Sequence, residues 1–113
     1  KLISRSHKFV PNLTQAYLLR SAFHISQRKF KKALRYLQLA IKTGEKYNGR
    51  LELSRAYFET CKFLSDPKTK HKQLNGLSGK DYLEKAKAMF EEMDLQWDLE
   101  EYRKFVELNQ VQS

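Results

Sequence analysis

Glycine, proline and cysteine are scarce in this 113-residue chain, which has four, two and one of them. An all-β domain needs many more turn formers, so a sandwich or barrel is excluded. A glycine-rich loop that wraps phosphates has nothing to be built from. The single cysteine, Cys61, excludes a disulfide framework and a cysteine-based zinc site. It suits a reducing compartment, and we expect a cytoplasmic setting, cytoskeletal and ciliary assemblies included, rather than secretion. No apolar run comes near the roughly 18 residues that a spanning helix needs, so no membrane partner is expected. Lys1, not methionine, opens the sequence, and the first residues do not read as a signal peptide. We therefore expect a piece of a larger protein. The sequon-like Asn12-Leu13-Thr14 is of a kind that arises by chance and carries no argument.

Acidic residues are the next shortage, and it is local. Residues 1–50 hold twelve lysines and arginines against one acid, Glu45. Residues 80–113 reverse the balance, with five basic and nine acidic groups. The whole chain has 22 basic and 13 acidic residues, a formal charge of +9. Such asymmetry points to a face for an acidic partner, either a protein surface or nucleic acid. A plainly solvated surface is the competing explanation. With 41% apolar residues the chain can bury a core, which excludes wholesale disorder, and its length fits one domain or part of one.

What is abundant is apolar periodicity at steps of three and four. Asn12 is a good N-cap after Pro11, Gln15 completes a capping-box pattern, and a first helix is expected to about Ser26. Arg28-Lys29 makes a tight turn. A second helix starts near Phe30 and carries Ala33, Leu34, Leu37, Ala40 and Ile41, with Gly44 as its stop signal and fraying through Tyr47. Asn48-Gly49 is turn chemistry. A third helix runs from about Arg50 to Leu64, and Ser65-Asp66-Pro67 ends it because the residue before proline is driven from the helical region. Residues 65–79 form one long loop. A fourth helix begins near Lys80 with Leu83, Ala86, Phe90 and Met93 on one face. After Met93-Asp94-Leu95, a fifth runs to about Asn109, with Leu99, Tyr102 and Val106 on its buried stripe and Trp97 packed back on the preceding turn.

The first and third helices match at an offset of 40: Ala16-Tyr17 with Ala56-Tyr57, Ser21 with Cys61, Phe23 with Phe63. The second and fourth match at 53, Ala33 with Ala86 and Leu37 with Phe90, the extra 13 being the added loop. Self-similarity of this kind marks a helical solenoid. The expected fold class is all-α: two helical hairpins, residues 12–48 and 49–95, plus a capping or bridging helix and tail at 96–113. Residues 1–11 are an extension or the end of a preceding repeat.

The stretch from Arg28 to Ala40 resembles the second-helix pattern of tetratricopeptide repeats, with Phe30, Ala33, Leu37 and Ala40 at the signature sites. Tyr17 takes the large first-helix site, and Ser21 and Cys61 take the small site where helices cross closely. Arg28 stands in place of the usual turn glycine, and His24 and Arg20 stand where apolar residues are usual. The runs Ser54–Glu59, Ser65–Pro67, Tyr82–Ala86 and Phe90–Leu95 are similar to degenerate repeats in the C-terminal regions of soluble-type adenylate and guanylate cyclases and of signalling ATPases of the STAND type. The resemblance implies a TPR-like α–α superhelix that acts as a regulatory or scaffolding segment of a signalling or assembly protein, outside any cyclase centre.

No candidate for catalysis stands out. His7, His24 and His71 have no second ligand at metal spacing, so neither a metal nor a cofactor is expected. His24 reads as a satisfied structural histidine and Cys61 as a buried inert thiol. The acids from Glu91 to Glu101 read as a solvated face, so an enzyme is not expected. Two binding surfaces are. In the repeat register Leu18, Ala22, Ile25 and Phe58 line a concave apolar groove suited to a protein partner, unless neighbouring repeats cover it. The turns within the hairpins share an edge carrying Arg28, Lys29, Lys31 and Lys32 from the first, and Lys68, Lys70, His71, Lys72 and Lys80 from the second. An acidic protein surface fits that edge, and nucleic acid is the alternative.

Overall fold

The computed structural model describes residues 13–109. Five helices carry the fold: α1 (Leu13–Ser26), α2 (Phe30–Tyr47), α3 (Arg50–Ser65), α4 (Gly79–Glu92) and α5 (Gln96–Leu108). The only strands among the described residues are β1 (Gln73–Leu74) and β2 (Leu77–Ser78), two residues each and antiparallel. The architecture is all-α, as expected. The closest helix packing is α1 on α2 and α3 on α4, with α2 on α3 joining the two hairpins and α5 lying on α4. The molecule is elongated, with extents of 53 × 33 × 23 Å.

Chain reversals follow from one backbone device. A residue in the left-handed region closes α1, α2 and α4: Arg28, Asn48 and Asp94. After each, an amide reaches back to the last turn: Lys29 N–H to the His24 carbonyl at 2.8 Å, Gly49 to Gly44 at 3.1 Å, and Leu95 to Phe90 at 2.9 Å. These bonds satisfy carbonyls that a helix end leaves open. Glycine usually takes this position, and the chain has few. Asparagine and aspartate tolerate it, whereas Arg28 has no such excuse.

Gly44 is therefore not the stop signal. It sits buried inside the last turns of a helix that runs on to Tyr47 and is capped by Asn48. Its missing side chain serves a close approach, because a Cβ there would stand 3.1 Å from Leu53 Cβ. The expected loop at 65–79 also holds more order. Asn75-Gly76, both with positive φ, turn a two-residue hairpin, and Ser78 then caps α4. Ser78 Oγ accepts from the Asp81 amide while the Asp81 carboxylate accepts from the Ser78 amide at 2.9 Å, a complete capping box. The Ser78 amide first, and then the Ser78 hydroxyl, which donates to the same carboxylate at 3.1 Å, hold the Asp81 carboxyl below its ordinary pKa. The expected N-cap at Asn12 lies outside the described residues, as do His7 and the segment 1–11.

The core runs the length of the α2–α3–α4 layer. Ala33, Leu37, Ala40 and Ile41 of α2 meet Ala56, Tyr57, Phe58 and Cys61 of α3, and Tyr82, Ala86 and Phe90 of α4 complete it. Ala33 and Ala86 have no exposed surface, as the repeat register requires. Phe58 sits edge-on to Phe90 and to Phe105, each with centroids 5.8 Å apart. The fifth helix departs from expectation. Leu99, Tyr102 and Val106 are only half-buried, and its one buried residue is Asp98.

Candidate functional site

Three helices that are not sequence neighbours meet around an open groove of about 340 Å³. From α1 come Leu18, Leu19 and Ala22, from α3 Arg55, Phe58 and Lys62, and from α5 Trp97, Asp98 and Glu101. Leu18 and Phe58, equivalent at the 40-residue offset, form its buried floor. Ala22 is exposed beside them. Ile25, expected here, does not line the groove; it shares the face of Leu18 but lies two turns further along α1, half-buried against the core. Two side chains the sequence reading did not place here give the groove its exposed apolar wall: Leu19, 62% exposed, and Trp97, 67% exposed. Trp97 is thus not packed on the preceding turn.

The groove is held open by an ion pair. Arg55 Nε and Nη2 each donate to the Asp98 carboxylate at 2.9 Å, a two-point contact that fixes α5 against α3. Asp98 is buried, so it needs that partner; the acids of α5 are not all on a solvated face, as expected, but include one structural anchor. The hydrogen bond to Asp98 raises the Arg55 pKa further. Above the pair, the Arg55 guanidinium lies 6.0 Å from the Trp97 ring centre, and Lys62 Nζ lies 4.8 Å from that of Phe58. Cations thus shield the ring faces and frame the apolar strip.

The two basic segments are connected through α3. Phe30, at the start of α2, packs on Phe63 of α3 with centroids 6.2 Å apart, and Phe63 stacks on His71 of the inserted loop at 6.2 Å. Phe63 thus touches an aromatic ring from each of the two basic segments. Arg28, Lys29, Lys31, Lys32, Lys68, Lys70, Lys72 and Lys80 are all exposed. Lys72 is partly occupied, since its Nζ donates to the Asp66 carbonyl at 3.1 Å. Lys29 stands at the N-cap of α2 without a side-chain cap, and no acid occupies that helix's first turn. Cations there oppose the helix dipole.

His24 borders this edge. Its ring stacks on Tyr36 at 5.2 Å and 11°, yet its Nδ1 is buried without a hydrogen-bond partner, so it is not the satisfied histidine expected. Burial first, then the charges of Lys32, Arg20 and Lys29, lower its pKa from 6.5. The Arg20 guanidinium, 5.2 Å from the Tyr36 ring centre, donates to the Tyr36 hydroxyl at 3.2 Å. Cys61 is buried and its thiol is pushed up to about 11 by desolvation, which leaves it protonated at neutral pH.

Among the described residues no three His, Cys, Asp or Glu side chains group as a metal site, and no helix is long and apolar enough to cross a membrane. Comparison with known proteins finds no match among family models, curated proteins or solved structures.

Proposed function

We propose that this chain is a non-catalytic, TPR-like helical-repeat segment that binds a protein partner through the α1–α3–α5 groove, with the basic edge attracting acidic surface. Its setting is the interior of the cell, as a scaffold in a larger signalling or assembly protein. The observation that carries this is the exposure of Leu19 and Trp97 across a preformed apolar floor of Leu18 and Phe58. A monomeric fold has no use for a large solvated indole beside a leucine, whereas a peptide helix or extended segment covers both. The charged frame of Arg55, Lys62 and Glu101 then orients the segment.

The test is a peptide-display selection against the intact chain, followed by titration of a selected peptide. Ala22→Glu places a charge on the exposed groove wall without touching the core. Binding should fall at least about tenfold, or 1.4 kcal/mol, with melting unchanged. If selected peptides bind the variant as well as the parent chain, the groove is not the site.

The gathered lysines favour nucleic acid as the second reading. A fluorescent single-stranded RNA probe separates the two, because nucleic-acid affinity falls steeply as salt rises and groove binding does not. Tight RNA binding with a steep salt slope that Lys29→Glu and Lys32→Glu flatten would favour the second reading.

A further inference from the structure

The first helices of the two hairpins share a design, yet only one of them is fully covered. At the 40-residue offset, Leu13, Ala16 and Phe23 of α1 correspond to Leu53, Ala56 and Phe63 of α3. On α3 this face is closed by α2. Phe63 rests on Phe30, Leu53 lies against Gly44, and the Tyr57 hydroxyl donates to Glu45 Oε2 at 3.0 Å. Ala56 and Phe63 are buried as a result. On α1 the same residue types are open: Ala16 is exposed, and Phe23 is 57% exposed where Phe63 is 4%.

We propose that this face of α1 docks the second helix of another hairpin of the same design, stacked on α1 as α2 stacks on α3. The face continues the α2–α3 interface by one repeat, so that interface specifies the occupant. The docking helix carries an aromatic residue in its first turn, to rest on Phe23. A glycine 14 positions later admits Leu13, and the next residue is an acid that accepts from the Tyr17 hydroxyl. This is the pattern of Phe30, Gly44 and Glu45 in α2. A second copy of the chain does not offer such a helix, because its α2 is already packed by α3 and its α4 by α5. Helix α1 itself holds no glycine and no acid, so two α1 faces placed together do not reproduce that pattern.

The experiment is a tandem duplication in which residues 13–52 are repeated ahead of Leu13. The native Asn48-Gly49 connection then leads into α1 at the 40-residue spacing. Thermal unfolding is compared for the parent chain and the duplicate, each with and without Phe23→Lys in the downstream copy. The duplicate should unfold in one transition, with Tm raised by about 5 °C or more. Phe23→Lys should lower that Tm by a similar amount, yet shift the parent chain by under about 2 °C. An appended hairpin that melts separately or stays unfolded would overturn the proposal, as would equal Phe23→Lys shifts in both backgrounds. Sedimentation of the parent chain gives one more arm: a dimer that Phe23→Lys dissociates would make a second copy the occupant and overturn it too.

Discussion

A single imidazole shows how the fold spends its surplus of positive charge. His24 is held between Phe23 and Tyr36, with Arg20, Lys29 and Lys32 around it and its Nδ1 unpartnered. Its folded pKa lies below its unfolded value of 6.5, so the folded state prefers the neutral ring. The stabilisation is therefore complete above pH 6.5 and is lost as pH falls from there toward the folded value. Thermal melts at pH 7.5 and pH 5.5 should show a drop in Tm that His24→Gln largely removes. An equal drop in the variant would mean that other groups carry the pH dependence. Asp81 has the same sign in a lower window: its capping box is intact above the ordinary carboxylate range and fails below it.

At the scale of elements, close crossings decide stability. Ala33 is fully buried between α2 and its neighbours. Ala33→Leu forces extra methylenes into that crossing and should cost about 1–3 kcal/mol in urea unfolding. The helices were legible in the sequence because each buries a stripe at steps of three and four, and turn residues mark their ends. Ala33, Leu37, Ala86 and Phe90 fall in the core where the internal repeat puts them. The β-hairpin was missed although Asn75-Gly76 signals it, because strands of two residues show no alternation to read. Within the groove, Leu18, Ala22 and Phe58 were legible from the repeat. Trp97 and the Arg55–Asp98 pair were not, since Asp98 pairs with a residue 43 positions away and no local pattern encodes a buried acid. Ile25 shows the limit of the repeat register: it keeps the face of Leu18, but two turns along the helix it has left the groove.

The whole molecule is a set of antiparallel packed helices, with aromatic contacts from Phe30 to Phe63 and from Phe63 to His71 linking the start of α2 to the inserted loop. Reversing Lys29, Lys31 and Lys32 to Glu puts acids at a helix start that has none and should stabilise α2 by under about 1 kcal/mol. Association with an acidic protein partner should slow and lose its salt sensitivity, as read by stopped-flow at low and high salt. An unchanged on-rate at low salt would make the edge solubility charge alone. The helices are also unevenly fastened. The last helix, α5, buries a single residue, Asp98, and depends on the Arg55 clamp and on half-buried Leu99, Tyr102 and Phe105. Local opening follows the weakest fastening, so unravelling starts at α5 while α2 and α3 stay intact. Amide deuterium uptake should run ahead in α5 of that in α2 and α3. Asp98→Ala should hasten exchange in α5 without hastening it around Lys42 in α2. The chain thus carries its own order of disassembly, written in the one carboxylate that α5 buries.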